Sequence, residues 1–152
     1  MKRNPITRIL SLLLVLVMIY SAFVGCAESE TKQSGFATIV LEGEPAVEYR
    51  VNLDKVDGNE GLISVFEYLK AEQGLSYTYE AGILSEVGSV KQNDDTQTYI
   101  WIWTSVEADM DVSAYATTKD YNGMTLTSSG VGATDMTVCD GAVIYIGTIS
   151  WS

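Results

Sequence analysis

Residues Thr98–Ser105 read TYIWIWTS, an unbroken alternation of aromatic and aliphatic side chains. In an extended chain successive side chains point to opposite faces, so Tyr99, Trp101 and Trp103 share one side and Ile100 and Ile102 the other. A strand apolar on both faces must bury both or present one to something outside the domain. The stretch AVIYIGTISW (142–151) repeats the pattern: Ala142, Ile144 and Ile146 go one way, and Val143, Tyr145, Gly147, Ile149 and Trp151 the other. If the two strands are neighbours, their aliphatic sides form a seat for a helix and their aromatics a second, common surface. Tyr99, Trp101, Trp103, Tyr145 and Trp151 are thus candidate ligand-binding residues, with Gly147 in their midst leaving room for a ring or ligand to approach the backbone. The competing expectation is burial of that surface beneath other strands.

Working outward, strand signals appear at FATIVLEG (36–43) and VEYRVNLD (47–54). The latter alternates cleanly, as in an antiparallel pair with one wet face. In DGNEGLISVFEYLKAEQG (57–74), Leu62, Val65, Phe66 and Leu69 fall at i, i+3, i+4 and i+7, which predicts one helix with a single apolar stripe. Asp57 and Glu60 fit a capping box, Asn59 is a competing cap, and Gly74 closes the helix. Further extended segments are expected at 75–80, 83–90, 96–108, 110–118, 124–129 and 142–151. KQNDD, KDYNG and CDG supply turn residues between them. The pattern predicts an α+β fold with one main helix packed on a largely antiparallel sheet.

Ahead of this domain, Lys2, Arg3 and Arg8 precede an apolar run from Ile9 to Gly25 of 17 residues, the layout of a signal peptide rather than an anchor. FVGC at 23–26, followed by AESETKQSG, resembles the lipobox of bacterial lipoproteins, in which cleavage precedes a cysteine that carries diacylglycerol. The expected organisation is a leader at 1–25, lipidated Cys26 with a polar tether to 35, and a single domain at 36–152. The resemblance implies export and attachment to the outer face of the bacterial cell membrane through Cys26.

The chain has no histidine, which removes Ser-His-Asp and Cys-His catalysis, histidine zinc sites and axial imidazole ligands. No phosphate loop follows a strand, and no carboxylate pair is singled out by spacing, so no enzymatic activity is expected. Without the leader the chain carries 6 Lys and Arg against 20 Asp and Glu, a formal charge of −14, which disfavours nucleic acid as a partner. Cys139 reads as a small packing residue near a turn. Glu107, Asp109 and Asp111 would share one face of a continuous strand, as a solubilised edge or, less simply, a calcium site. DKVDGNE lacks the spacing of a calcium loop, and no metal site is expected.

Three phrases carry a family resemblance: VNLDKVDGNEGLISVFEYL (51–69), YIWIWTS (99–105) and SSGVGATDMTVCDGAVIYI (128–146). In these and in the order of its elements the chain resembles the transcobalamin C-terminal-like domain family of bacterial surface proteins. That resemblance implies a β-grasp-like sheet. In the animal vitamin carriers the corresponding domain covers one side of bound cobalamin, so it also implies cobalamin or another corrinoid as a bound ligand, with no cofactor required. Two functions follow as expectations: a surface-anchored binding lipoprotein that captures a small molecule for uptake, or a cell-surface protein–protein interaction or adhesion module with no small ligand.

Overall fold

In the computed structural model, which describes residues 34–151, TYIWIWT lies at the centre of a sheet. Its strand is β6 (Thr98–Thr104), and five others join it: β1 (Phe36–Leu41), β2 (Val47–Asn52), β7 (Thr118–Tyr121), β8 (Met124–Ser128) and β9 (Val143–Ser150), in the order β2-β1-β9-β6-β8-β7. A three-stranded antiparallel sheet of β3 (Tyr77–Glu80), β4 (Ile83–Val87) and β5 (Val90–Lys91) lies apart from it in the hydrogen-bonded order. Among the described residues the one α-helix is α1 (Gly61–Gln73), so the fold is α+β. Every pairing is antiparallel except β1 with β9, the second and third strands of the large sheet. That parallel pair makes the sheet mixed, because its two strands are joined only through most of the intervening chain, α1 included.

The aliphatic face is the main core. Ile39 and Leu41 of β1, Val51 of β2, and Ile144 and Ile146 of β9 are each at most 1% exposed, as are Leu62, Val65, Phe66 and Leu69 of the helical stripe. Ile100 and Ile102 pack against this cluster from β6. At about 1.5–3 kcal/mol for each large apolar side chain buried, this face dominates the stability of the fold.

The helix begins differently from expectation. Glu60 is the N-cap and makes no side-chain capping bond. Instead its N–H donates to Ser64 Oγ at 2.9 Å, and Leu62 N–H donates to the Ala133 carbonyl at 2.8 Å. A Cβ on Gly61, where φ is +52°, would meet the carbonyl oxygens of Ala133, Thr134 and Met136 at 2.7–2.9 Å. The segment after β8 thus crowds the first turn and takes the place of a capping box. Gly74 closes the helix as expected, in the left-handed conformation.

The second face is closed by curvature. A flat six-stranded sheet would hold its edge strands roughly 24 Å apart. Here Tyr121 Oη of β7 donates to Glu48 Oε1 of β2, the opposite edge, and the rings of Tyr121 and Tyr145, three strands apart in the order, have centroids 5.6 Å from each other. The β7–β8 hairpin therefore rolls over the aromatic side and buries a second cluster of Val40, Trp103, Leu126 and Tyr145.

Two expected strands are not formed as read. Segment 83–90 divides into β4 and β5, and 110–118 is irregular, with a 3₁₀ turn at Glu107–Asp109 before it and β7 starting only at Thr118. Glu107, Asp109 and Asp111 consequently do not share a strand face. Asp109 is 4% exposed and accepts from Thr137 N at 2.6 Å and Thr137 Oγ1 at 3.1 Å, while Asp111 Oδ1 accepts from Ser113 N at 2.8 Å. These side-chain bonds to backbone compete with strand pairing and win.

Candidate functional site

β6 and β9 are direct neighbours, with Trp101 opposite Gly147 and Trp103 opposite Tyr145. The five aromatic candidates do share a side, but the rolled hairpin divides them. Trp103 and Tyr145 are 3% and 6% exposed, packed edge to face with centroids 6.0 Å apart. Trp103 Nε1–H donates to Thr117 Oγ1 at 3.0 Å. These two are core residues, and no ligand reaches them without displacing the hairpin. Tyr99 and Trp151 are 36% and 52% exposed, and Trp101 lies half-buried between the groups, edge to face with Trp151 at 6.2 Å.

Gly147 does admit a close approach, though by a carboxylate rather than a ring. Glu42 lies over it, with carboxylate atoms 2.8–3.1 Å from where a Cβ would stand. Glu42 accepts from Lys119 Nζ at 2.7 Å and from Thr148 N at 2.9 Å. Lys119 in turn sits 4.7 Å above the Tyr145 ring and 5.6 Å above that of Trp103. Burial alone raises the Glu42 pKa, but the Lys119 and Thr148 bonds outweigh it and hold the carboxyl below its usual range. Burial likewise opposes the Lys119 charge, yet the Glu42 partner leaves its pKa raised. This clasp locks the roll of the sheet over the aromatic core.

The open part of the site lies at the other end of β6. Gln97 accepts from Trp151 N and Ser105 donates to Val143, so the backbones of the odd-numbered residues between them face β9, and those of the even-numbered residues face away. On that outer side Thr98 exchanges both backbone bonds with Asn93, the Ile102 carbonyl accepts from Ser129 N at 2.8 Å, and Thr104 is paired with Thr127 of β8. Between these anchors, the N–H and carbonyl of Ile100 and the N–H of Ile102 have no partner among the described residues. The segment Tyr99–Ile102 contains no charge, proline or glycine, so it lacks the usual devices that blunt a free strand edge.

A groove of about 380 Å³ runs along this edge. Its lining includes Tyr79 and Ile83 of the small sheet, Val131 and Ala133 of the loop after β8, and Trp101 and Trp151. The Trp101 indole N–H is buried and has no hydrogen-bond partner among the described residues. Such an orphaned donor costs about 1–3 kcal/mol until an acceptor arrives. At the Thr98 end, Gln92 lines the groove and donates to Asp94 Oδ1 at 2.8 Å. At the Ile102 end, the Asp135 carboxylate lies 3.9 Å from where a Cβ on the lining residue Gly132 would stand. Both ends are thus flanked by carboxylates.

Glu28, Glu30, Lys2, Arg3, Arg8 and Lys32 precede the described residues, which leaves 18 acids against 5 bases there, a formal charge of −13. Lys70, Lys91 and Lys119 are already paired with glutamates, and Arg50 stacks on the Phe36 ring at 4.3 Å. Cys139 is a free thiol packed at the margin of the main core. Among the described residues no group of three or more Cys, Asp and Glu side chains is placed to hold a metal ion, and no helix is long and apolar enough to cross a membrane. Cys26 lies outside the described residues.

Among known proteins, no family model and no curated protein matches the chain. A crystal structure from Ruminococcus gnavus, named as that of a metal-binding protein, a role itself inferred, superposes on 78% of this chain and 100% of its own with a TM-score of 0.49 and 12% identity. A likeness of that degree carries no argument about the chemistry of this chain.

Proposed function

We propose that the chain is a non-catalytic binding module, held at the outer face of a bacterial cell membrane by a lipid on Cys26, and that it takes its ligand in the groove beside β6. The observation that carries this reading is the pair of exposed aromatic side chains, Tyr99 and Trp151, that line the groove. Exposed aromatic side chains give large contact area at small entropic cost. A planar or ring-bearing small molecule fits that description. A corrinoid is the leading candidate under the transcobalamin-like resemblance, and the parallel β1–β9 pair inside the mixed sheet supports the β-grasp-like reading. At about 380 Å³ the groove holds an edge of such a molecule, which would leave its remainder to a second protein.

Tryptophan fluorescence tests this directly. Acrylamide should quench Trp151 freely, and saturable protection by cobalamin, after correction for its absorbance, supports capture of a corrinoid. Tyr99→Ala, which leaves every tryptophan reporter in place, should abolish that protection while leaving the fold intact. Protection of Trp151 that survives Tyr99→Ala places binding elsewhere and overturns the assignment of the groove. A second reading, docking of another surface protein, is favoured by a different observation: the unpaired backbone groups of Ile100 and Ile102.

A further inference from the structure

We infer that the open segment of β6 binds an extended, basic segment of another protein as an added strand. The inference deepens the second reading and rests on the groove being the binding element. Three consecutive edge groups, Ile100 N–H, Ile100 C=O and Ile102 N–H, stand in the donor and acceptor order that an incoming strand requires. They are bounded by the Asn93–Thr98 bridge at one end and the Ser129–Ile102 bond at the other. From Ile100 to Ile102 is two residue steps, roughly 7 Å, so the occupant pairs through about three residues in strand conformation. Its side chains alternate, as those of any strand do. One set meets Trp101 and Trp151, and the other meets the lining residues Tyr79, Ile83 and Val131.

Charge selects the kind of segment. The groove lining carries no charged side chain and is mainly apolar, with Gln92 and Ser129 its polar side chains apart from the Tyr and Trp rings. Asp94 and Asp135, by contrast, lie beside its lining residues Gln92 and Gly132, and the described residues carry a formal charge of −13. A segment with apolar, β-forming residues at its centre and Lys or Arg at both ends matches that layout. The same charge argues against the other obvious occupant, a second copy of this chain paired edge to edge, since two domains of formal charge −13 repel one another. Free strand edges that lack protective charges otherwise invite such pairing, and here the acidity of the whole domain provides the protection that the edge sequence does not.

The test uses a displayed library of random heptapeptides, selected on the purified chain, followed by amide hydrogen exchange on the complex with the strongest synthetic peptide. Selection should enrich sequences with alternating β-branched or aromatic residues between flanking Lys or Arg. Binding should weaken at least ~10-fold when the peptide amides that face the edge are N-methylated, a change that leaves the protein untouched. It should also weaken ~10-fold between low and high salt. The Ile100 and Ile102 amides should exchange freely in the unbound chain and slow at least ~10-fold in the complex, while the Tyr99 and Trp101 amides, already bonded to β9, change little. Four outcomes overturn the inference: no enrichment, enrichment of acidic or proline-rich peptides, binding indifferent to N-methylation with the Ile100 and Ile102 amides unprotected, or a low-salt dimer by sedimentation equilibrium that protects those amides without any peptide. If peptides fail while cobalamin shields the tryptophans, the groove stands as a small-molecule site and only the added strand falls. If a selected peptide binds without involving Trp151, Ile100 or Ile102, the groove itself is refuted.

Discussion

Replacing Trp103 and Trp151 separately by Ala tests whether the aromatic row is divided as described. Trp103 is 3% exposed, donates to Thr117, packs edge to face on Tyr145 and lies under Lys119. Truncating a buried Trp costs about 3–5 kcal/mol through lost transfer energy and the cavity left behind. The orphaned Thr117 hydroxyl and the lost aromatic pair fall within that range rather than adding to it. For a domain of this size the change lowers Tm by roughly 10–25 °C. Trp151 is 52% exposed at the end of β9, and its truncation should cost less than about 1 kcal/mol. Trp103→Phe keeps most of the volume and removes the indole donor, so it should fall between, at about 1–2 kcal/mol, and guards against a Trp103→Ala chain too unstable to measure. Urea denaturation followed by circular dichroism gives all three values. A Trp103→Ala cost within 1 kcal/mol of the Trp151→Ala cost would refute the burial of Trp103 under the hairpin.

Three further outcomes follow from the clasp and the loop after β8. Gly147→Ala should destabilise by about 1–2 kcal/mol, because a methyl there displaces the Glu42 carboxylate from Thr148 N and Lys119; in a Glu42→Ala background the same change should be neutral or stabilising, and equal costs in both backgrounds would exclude the coupling. The Glu42 carboxyl titrates lower in the folded chain than unfolded, so its contribution is complete above the unfolded value near ~4.3 and is lost as pH falls through the folded one. Lys119 titrates higher when folded, so its contribution is complete below ~10.4 and is lost as pH rises through the folded value. Both side chains are about a third exposed, so the effect is small, and Glu42→Gln should flatten the acid limb of the urea midpoint against pH. Asp109→Ala should cost about 2–3 kcal/mol by leaving Thr137 N–H unpaired in a part-buried site, read as a lower urea midpoint.

The facing of the residues was legible from alternation alone. Ile100, Ile102, Ile144 and Ile146 turn to the helix, the aromatics turn away, and the helical stripe from Leu62 to Leu69 is buried as its spacing predicts. What alternation could not give is which strands neighbour which, and hence how far the sheet rolls. Tyr121 was read as part of a turn, yet it forms the edge strand that reaches Glu48 on the far side of the sheet. Its turn residues are as read: Asn122 and Gly123 both take positive φ in the two-residue link between β7 and β8. The aspartates misled most. Asp109 and Asp111 fit a strand by period, but carboxylates that find backbone donors nearby stabilise loops instead.

The groove was not legible because it is made by a strand that stops early. β6 has seven residues and β8 five, and only Trp103 and Thr104 are paired within the ladder between them. After Ser129 bonds Ile102, the chain turns to Asp109 instead of running on along β6: Asp111 N donates to Ser128, and Gly130 N donates to the Asp109 carbonyl at 2.8 Å. The carboxylate of Asp109 then holds Thr137, and the segment between brings Ala133 against the first turn of α1. One buried aspartate therefore ties together the helix cap, the loop that lines the groove and the place where β8 leaves the edge. Had the chain continued as a strand past Ser129, Ile100 would be paired, the groove would be filled, and Tyr99, Trp101 and Trp151 would be a sheet surface with nothing to bind. The same side-chain chemistry that defeats the strand reading at 107–111 is what leaves the edge of β6 open.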